Sequence, residues 1–462
     1  MTADVATSQP TRIKPRILSG FRDFLPTQML LRQHIIGVFR DIFEQHGYEP
    51  IETPVLEHLD ILTGKAGENE RLMYHFADQG ERQVGMRYDL TVPFSRVLAM
   101  HQNEIVLPFK RYHIGPVWRA EKSQRGRFRE FWQCDADIAG SASMLADAEG
   151  VSILTEAIAA VGISNFVVRI NHRNLLGAIA RSAGAVNPDE AGRNEARVAT
   201  IPDVIRTIDR LDKIGPDLVQ QQLVAAGLDA GGASRLLSLI TARGQADTIL
   251  SDVARSIGET DGVREATDDL TRLFAGLAAL GVPANRAILD LSLARGLDYY
   301  TGPVVEATVE QPAIGSIAGG GRYDGLVGAF SSRPMPATGV SIGIERIIEV
   351  VTEFDLLTVP GTTAQVFVAA FREDVAGAAG LALRLREAGL RTDLSLLGER
   401  SLGDQFKYAD RKGIPLALVQ GPDERGAGVV TIKDLASGDQ TQVADDHLVT
   451  ELRSRLGLST QE

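Results

Sequence analysis

The stretch that most restricts this chain's fold is "PFKRYHIGPVWRAEKSQRGRFREFWQCDADIAG", residues 108–140. Two long runs rich in β-branched and aromatic residues flank the short polar turn "KSQRG", the pattern of an antiparallel hairpin. Residues two apart share a strand face. Arg119 and Glu121 therefore point the same way, and on the return Arg127, Arg129, Phe131, Gln133, Asp135 and Asp137 form one row. Such a row offers a guanidinium for phosphate and an aromatic face for a planar base. It also offers carboxylate and amide groups for a cationic or donor-rich small molecule. A solvated amphipathic hairpin would carry the same alternation, and the basic tip could be a nucleic-acid contact or only a soluble turn.

Further short strands agree with antiparallel pairing. "RLMYHFAD" and "QVGMRYDLTV" precede the hairpin, and "RAILDLSLARGLDYYTGPVVEATVE", "SIAGGGRYDGL" and "GVSIG" come later. Upstream, Pro26-Thr27 opens a helix whose Ile35, Ile36, Phe39, Ile42 and Phe43 recur at helical spacing, and Gly47 stops it. From about 174 to 262 the chain reads as amphipathic helices inserted between two β-rich halves. Residues 1–14 read as a disordered tail and 356–363 as a linker. In 364–462, "AQVFVAA", "RTDLSL" and "IPLALVQG" alternate with helical patterns, which predicts a compact α/β module.

Composition narrows the function. Against 48 Lys+Arg stand 60 Asp+Glu, a net charge of −12, which argues against a surface that binds polyanions all over. Between Lys110 and Arg129, however, there are seven basic residues and one acidic, a local excess of six. The single cysteine, Cys134, excludes an internal disulfide framework and a CxxC metal pair, and fits a reducing, cytoplasmic setting. No run has the length of a membrane span or signal core, so no membrane partner is expected.

Three smaller signals need weighing. "GVSIG", residues 339–343, matches the G-x-S-x-G nucleophile elbow and would make Ser341 a hydrolase nucleophile with His447 as its base. The preceding "SSRPMPAT" makes a poor buried strand, and "DDHLVTELRSRLG" reads as an ordinary terminal helix. "AGGGRYDGL", residues 318–326, lacks the Lys-Ser/Thr of a P-loop, so its glycines mark close approach of a strand or ligand. No HExxH occurs among the eight histidines, so no dedicated metal site is expected.

In combination these motifs resemble the class II aminoacyl-tRNA synthetases, and within them the histidyl-tRNA synthetases. "GYEPIETPVLE" resembles the class's first motif, "VWRAEKSQRGRFREFWQCD" its second and "GVSIGIERI" its third. "LARGLDYYTG" and "GGGRYDGL" resemble stretches particular to the histidine enzymes. "REFWQCDADIAG" is closer to the eukaryotic and archaeal branch than to the commonest bacterial pattern. The resemblance spans nearly the full chain. It implies an α+β fold: an antiparallel β-sheet core flanked by helices over 15–355, with the helical insertion and a C-terminal α/β anticodon-binding domain.

The resemblance also implies an activity: ATP-dependent joining of L-histidine to the 3′ end of tRNA(His), with Mg2+ bridging the phosphates and the chain acting as a homodimer. Arg119 and Arg295 would meet the α-phosphate. Glu121 would receive the adenine amine, with Phe131 and Arg346 on the two faces of the base. Asp89, Thr91, Gln133, Asp137, Tyr299, Tyr300 and Tyr323 would surround the histidine, together with Arg119 and Arg295. Lys122, Arg125, Arg127, Arg400 and Lys407 are the cations expected near tRNA. The rival within the same fold is a catalytically silent paralogue that serves as regulatory subunit of ATP phosphoribosyltransferase. Such paralogues typically lack the C-terminal module.

Overall fold

The computed structural model describes residues 13–63, 67–190, 198–294, 299–331 and 333–458. Nearly all of the expected tail, and both Arg295 and Asp298, lie outside the described residues. The chain divides into two compact units: Ile35–Leu357 with the residues before Phe24, and Thr358–Glu462 with Phe24–His34.

The first unit contains β1 (Glu49–Pro50), β2 (Leu56–His58), β3 (His75–Ala77), β4 (Gln83–Met86), β5 (Phe109–Trp118) and β6 (Glu130–Ala139). It continues with β7 (Phe166–His172), β8 (Ala287–Leu289), β9 (Pro303–Val309), β10 (Ser316–Arg322) and β11 (Ala337–Gly343). Among the described residues, β2, β4 and β3 make a small antiparallel sheet, and the rest form one sheet ordered β1-β5-β6-β11-β10-β9-β7-β8. Its six central strands are antiparallel, and β1 and β8 add parallel edges.

The hairpin anchors this sheet. β5 and β6 pair from Phe109↔Ala139 to Trp118↔Glu130, so Arg111, His113 and Gly115 stand beside Asp137, Asp135 and Gln133 on one face. The opposite face presents Cys134, Ala136 and Ile138 of β6 and Val340 and Ile342 of β11, all buried. The helix Met144–Ala160 covers that side. Ser143 starts this helix by accepting the Leu145 N–H, and Val151, Leu154 and Ile158 fill its inner face.

The glycines of β10 answer the question of close approach. A Cβ on Gly320 would collide with the carbonyl oxygen of Gly339 on β11, and a Cβ on Gly339 would collide with the Asp137 carboxyl. Strand β11 and the acid beneath it fit only because both positions lack a side chain.

One element departs from expectation. "QVGMRYDLTV" leaves the sheet at Met86, and Thr91–Met100 is a helix. Asp89 Oδ1 accepts the N–H of Val92 at 3.1 Å, so the carboxyl caps the first turn and ends the strand. The alternation that suggested a strand through Val92 comes instead from residues buried all round that helix: Thr91, Val92, Pro93, Phe94 and Ser95.

Six helices lie between Arg173 and Ala279 among the described residues, from Arg173–Ser182 to Asp261–Ala279. Thr200 and Asp229 cap two of them through their side chains. No helix among the described residues is long and apolar enough to cross a membrane.

The second unit holds β12 (Val366–Val368), β13 (Thr392–Leu394), β14 (Leu416–Val419), β15 (Val429–Asp434) and β16 (Gln440–Ala444), ordered β13-β12-β14-β15-β16. The first three are parallel and joined through the helices Val375–Glu387 and Leu402–Arg411, the expected alternation. An antiparallel hairpin, β15–β16, extends the sheet beyond what was read from sequence. Its core gathers Val366, Val368, Leu381, Leu385, Leu416, Leu418 and Ile432.

Candidate active site

A cavity of about 440 Å³ opens over the middle of the large sheet. Strands β6, β10 and β11 form its floor, and the loop after β5, the turn before β6 and Tyr299–Tyr300 form its rim. Asp89, Thr91, Arg119, Glu121, Arg127, Phe131, Gln133, Tyr299, Tyr300 and Arg346 all line it. Residues as far apart in sequence as Leu72 and Arg346 thus meet in one space because the hairpin and β9–β11 are neighbours in a single sheet.

One end of the cavity is cationic. Arg119 donates through Nε to the Tyr88 carbonyl at 3.0 Å, and its guanidinium carbon lies 5.1 Å from the centre of the Phe131 ring. Arg346, from the helix Ile344–Glu353, donates through Nε to the Gly126 carbonyl at 3.2 Å and through Nη1 to the Ser316 carbonyl. Burial, with Arg127 and Arg119 nearby, lowers Arg346 to about 10. Glu121 and Arg127 are paired at 3.4 Å. Three guanidiniums around one concave space are repelled by one another and would be relieved by a polyanion.

The other end is lined with acids and phenols. Asp89 is 2% exposed, and beyond its bond to Val92 its Oδ2 has no hydrogen-bond partner. Burial raises this carboxyl to about 6. Tyr299 bonds to the Thr91 hydroxyl, packs edge-on against Tyr300 at 4.9 Å between ring centres, and meets Tyr323 at 6.0 Å. Burial holds all three phenols above their usual range, so they stay neutral and act through hydrogen bonds and ring faces.

Asp137 and Tyr323 sit below the cavity floor rather than on it. The Tyr323 hydroxyl donates to Asp137 Oδ1, and Arg111, 0% exposed, stands 2.7 Å from Asp137 Oδ2. Next to Asp137 on the same face, Asp135 is raised to about 7, chiefly by burial, while Arg111 and a hydrogen bond from Ser341 oppose the shift. His113, beside them, is lowered to about 3 by burial and the adjoining Arg111 and Arg87, and so is neutral.

Ser341 is no nucleophile elbow. It lies inside β11, paired on one side with Asp135 of β6 and on the other with Gly319 of β10. A nucleophile elbow requires the serine on an exposed strand-to-helix turn, and here the turn comes at Gly343.

The expected tRNA cations divide by location. Lys122 is exposed near the hairpin tip. Arg125 reaches the helix Ile344–Glu353, pairing with Glu349 at 3.1 Å and Glu353 at 2.7 Å. Arg400 and Lys407 are exposed in the second unit, with Lys407 3.8 Å from Asp404. Sequence reasoning assigned no part to Arg111, Asp135 or Glu306. All three sit on the site face, Glu306 opposite Gly319, and the two-residue spacing of Arg111 and His113 on β5 was the available signal.

Comparison with known proteins decides the family. Residues 20–347 match the family model of histidyl-tRNA synthetase. The chain belongs to the histidyl-tRNA synthetase family. Residues 365–455 match an anticodon-binding domain. The histidine–tRNA ligase of Aeropyrum pernix is 43% identical over 93% of this chain and 96% of that protein. That of Rhodopirellula baltica is 40% identical over 94% and 96%. Among solved structures, a histidyl-tRNA synthetase from Nostoc sp. superposes with a TM-score of 0.84 at 34% identity, covering 96% of this chain and 100% of that one. The family resemblance read from the five motifs, and the mixed fold with its antiparallel core and C-terminal anticodon-binding domain, are borne out.

Proposed function

We propose that this chain is a histidine–tRNA ligase whose cavity activates L-histidine with ATP. The observation that carries the reading is one cavity with Arg119, Arg127 and Arg346 at one end and Asp89, Gln133 and the tyrosines at the other, in a chain of this family. In the first step a histidine carboxylate oxygen attacks the α-phosphorus of ATP, the bond to the β-phosphate breaks, and pyrophosphate leaves. In the second, the 3′-terminal ribose hydroxyl of tRNA(His) attacks the histidyl carbonyl and AMP departs.

Negative charge grows at the α-phosphorus and on the departing pyrophosphate, so preorganised cations are the economical catalyst. Arg119 is fixed by the Tyr88 carbonyl before substrate arrives, and its terminal nitrogens have no protein hydrogen bond among the described residues. Arg346 is fixed by two carbonyls in the same way. Phe131 gives the adenine a flat surface, Arg346 covers the other face, and Glu121 takes the exocyclic amine. Arg295, outside the described residues, is assigned to the α-phosphate by its motif alone.

Mg2+ neutralises charge on the phosphates when bound. No group of three or more His, Cys, Asp or Glu side chains among the described residues could hold a metal by itself. Glu121, paired with Arg127, and Glu306, beside Arg169, line the cavity and could each add one ligand to an ion that arrives with the nucleotide, which suits a cation that keeps most of its ligands as phosphate and water. Asp89 and Thr91 hold the α-ammonium, and its arrival gives the Asp89 Oδ2 the partner it lacks. Asp137, steadied by Arg111 and Tyr323, serves the imidazole side.

The remaining assignments follow the family. Residues 15–355 carry the chemistry, with a helical insertion at about 174–262, and 364–462 read the anticodon after a linker at 356–363. The protein works as a cytoplasmic homodimer, with Lys122, Arg125, Arg127, Arg400 and Lys407 near tRNA.

The test is pyrophosphate exchange into ATP with each of the twenty amino acids, without tRNA. Exchange is expected with histidine alone. Arg119→Ala should reduce it by about 100- to 1,000-fold, the scale on which removing one preorganised donor acts. A folded protein that binds histidine but exchanges with no amino acid would favour the regulatory paralogue.

A further inference from the structure

Ser341 and Asp135 fall outside every role assigned above, yet they touch the site. Three neighbouring residues, Gln133, Ser341 and Asp135, run from the cavity floor into the sheet. Gln133 Nε2 donates to Ser341 Oγ at 2.6 Å, and Ser341 stands directly across β11 and β6 from Asp135, whose Oδ1 is buried without a hydrogen-bond partner and whose ionised form the serine favours. Gln133 and Ser341 line the cavity, whereas Asp135 is 1% exposed beneath it. Gln133 Oε1 is buried and has no hydrogen-bond partner.

Hydrogen-bond polarity then decides which end of the amide meets a ligand. A serine hydroxyl has one proton. An ionised Asp135 can only accept, so that proton goes to Asp135, and Ser341 must accept from Gln133. The NH2 group of Gln133 is thereby committed to the serine, and its carbonyl oxygen is the end left for substrate. We propose that Asp135 and Ser341 are positioning residues: they lock the Gln133 amide with its carbonyl toward the amino-acid end of the cavity, so the site presents an acceptor to a donor such as an ammonium or ring N–H. Without the hydroxyl the amide turns freely, and half of its orientations set an N–H against the substrate's own N–H. The proposal rests on the histidine-activation reading and adds to it how one contact is given its direction.

Arg111 opposes the burial that disfavours an ionised Asp135, and the groups facing this carboxyl come from several elements. Arg111 and His113 come from β5, Arg87 from the segment after β4, Asp137 from the same strand, and Asp89, Tyr300 and Tyr323 from the surrounding loops. Of these Arg111 and Arg87 are cations, and His113 is neutral.

Pyrophosphate exchange on the intact protein at pH 8 separates the possibilities. Ser341→Ala should raise KM for histidine about tenfold, the size of one lost directed hydrogen bond, and leave KM for ATP within about twofold. Ser341→Thr keeps the hydroxyl and adds its methyl next to Gly319, a cross-strand partner with no side chain, so it should restore wild-type KM. Asp135→Asn can satisfy Ser341 with either end of its amide, so it should raise KM for histidine without lowering the thermal midpoint at pH 8. An unchanged KM in Ser341→Ala, an equal rise for histidine and ATP, or no rescue by threonine would overturn the proposal. A fall of both affinity and midpoint in Asp135→Asn would reduce Asp135 to a structural group. Wild-type protein without histidine-dependent exchange would instead sink the underlying reading.

Discussion

Asp135 is a carboxyl that the fold holds near neutrality on the pH scale, and this has a thermodynamic sign. Its folded value of about 7 lies above the ordinary 3.8. Between those values the folded state keeps a proton that the unfolded state has lost, so stability falls as pH rises from about 4 to 7. Asp135→Asn removes that share of the slope. Thermal melts should show the variant gaining on wild type across this window, with no difference below it and a constant one above. A wild-type midpoint that climbs relative to the variant over the same range would contradict the assignment. Asp89 and Asp137 contribute in the same direction, so a residual slope should persist in the variant. The individual site residues were legible to different depths. Arg119, Glu121, Phe131 and Gln133 could be located in the cavity because strand periodicity and motif order both pointed to them, and Arg346 because its motif did. Ser341 was set aside because its G-x-S-x-G frame has two physical meanings, and only the strand pairing separates a hydrolase elbow from a floor residue. Arg111 and Asp135 were visible as a row of alternating polar residues. That Arg111 is wholly buried among three acids depends on which strands flank the hairpin, which local pattern does not encode.

At the scale of elements, β10 and β11 meet without room for a side chain. Gly320→Ala would drive a methyl into the Gly339 carbonyl, so the strands must part or the sheet must bend. Overpacking of this kind costs about 1–3 kcal/mol, and denaturant titration should record it as a lower midpoint with an unchanged slope. Gly339→Ala strikes the Asp137 carboxyl instead. It should therefore raise KM for histidine more than it lowers stability, and comparing exchange kinetics with melts would show the difference. Strand-versus-helix assignment from the sequence worked where alternation was long, as in β5 and β6, and failed at "RYDLTV". There an aspartate capped a helix whose first turn is buried on every side, which erases the 3.6-residue signature. The β15–β16 hairpin passed unread because β16 is exposed along most of its length and so lacks an apolar face to alternate.

Over the whole molecule, a net charge of −12 must coexist with binding of a polyanionic RNA. If the local excess of cations around the hairpin meets the RNA through a few phosphates, the RNA step is sensitive to salt and the small-molecule step much less so. Raising salt from 50 to 200 mM should increase KM for tRNA by at least tenfold while changing KM for histidine by less than twofold. Comparable shifts in both constants would place the RNA elsewhere or bind it by other means. Arg125 offers a sharper test. It is tied to Glu349 and Glu353 at an exposed surface, so Arg125→Ala should leave the thermal midpoint unchanged. If this cation also meets the RNA, KM for tRNA should rise severalfold with exchange unaffected, and an unaltered KM would remove it from the contact.

The floor of the cavity is paved by backbone at Gly319, Gly320 and Gly343. Every point mutation at those positions adds atoms, so at these glycines the site can only be made smaller. The rim is built the other way, from Tyr299, Tyr300 and Phe128, each of which a single substitution can cut back. Variation among descendants of this chain therefore has a built-in direction: a changed appetite for ligands enters from above, at the aromatic rim, while the glycine pavement stays closed to experiment.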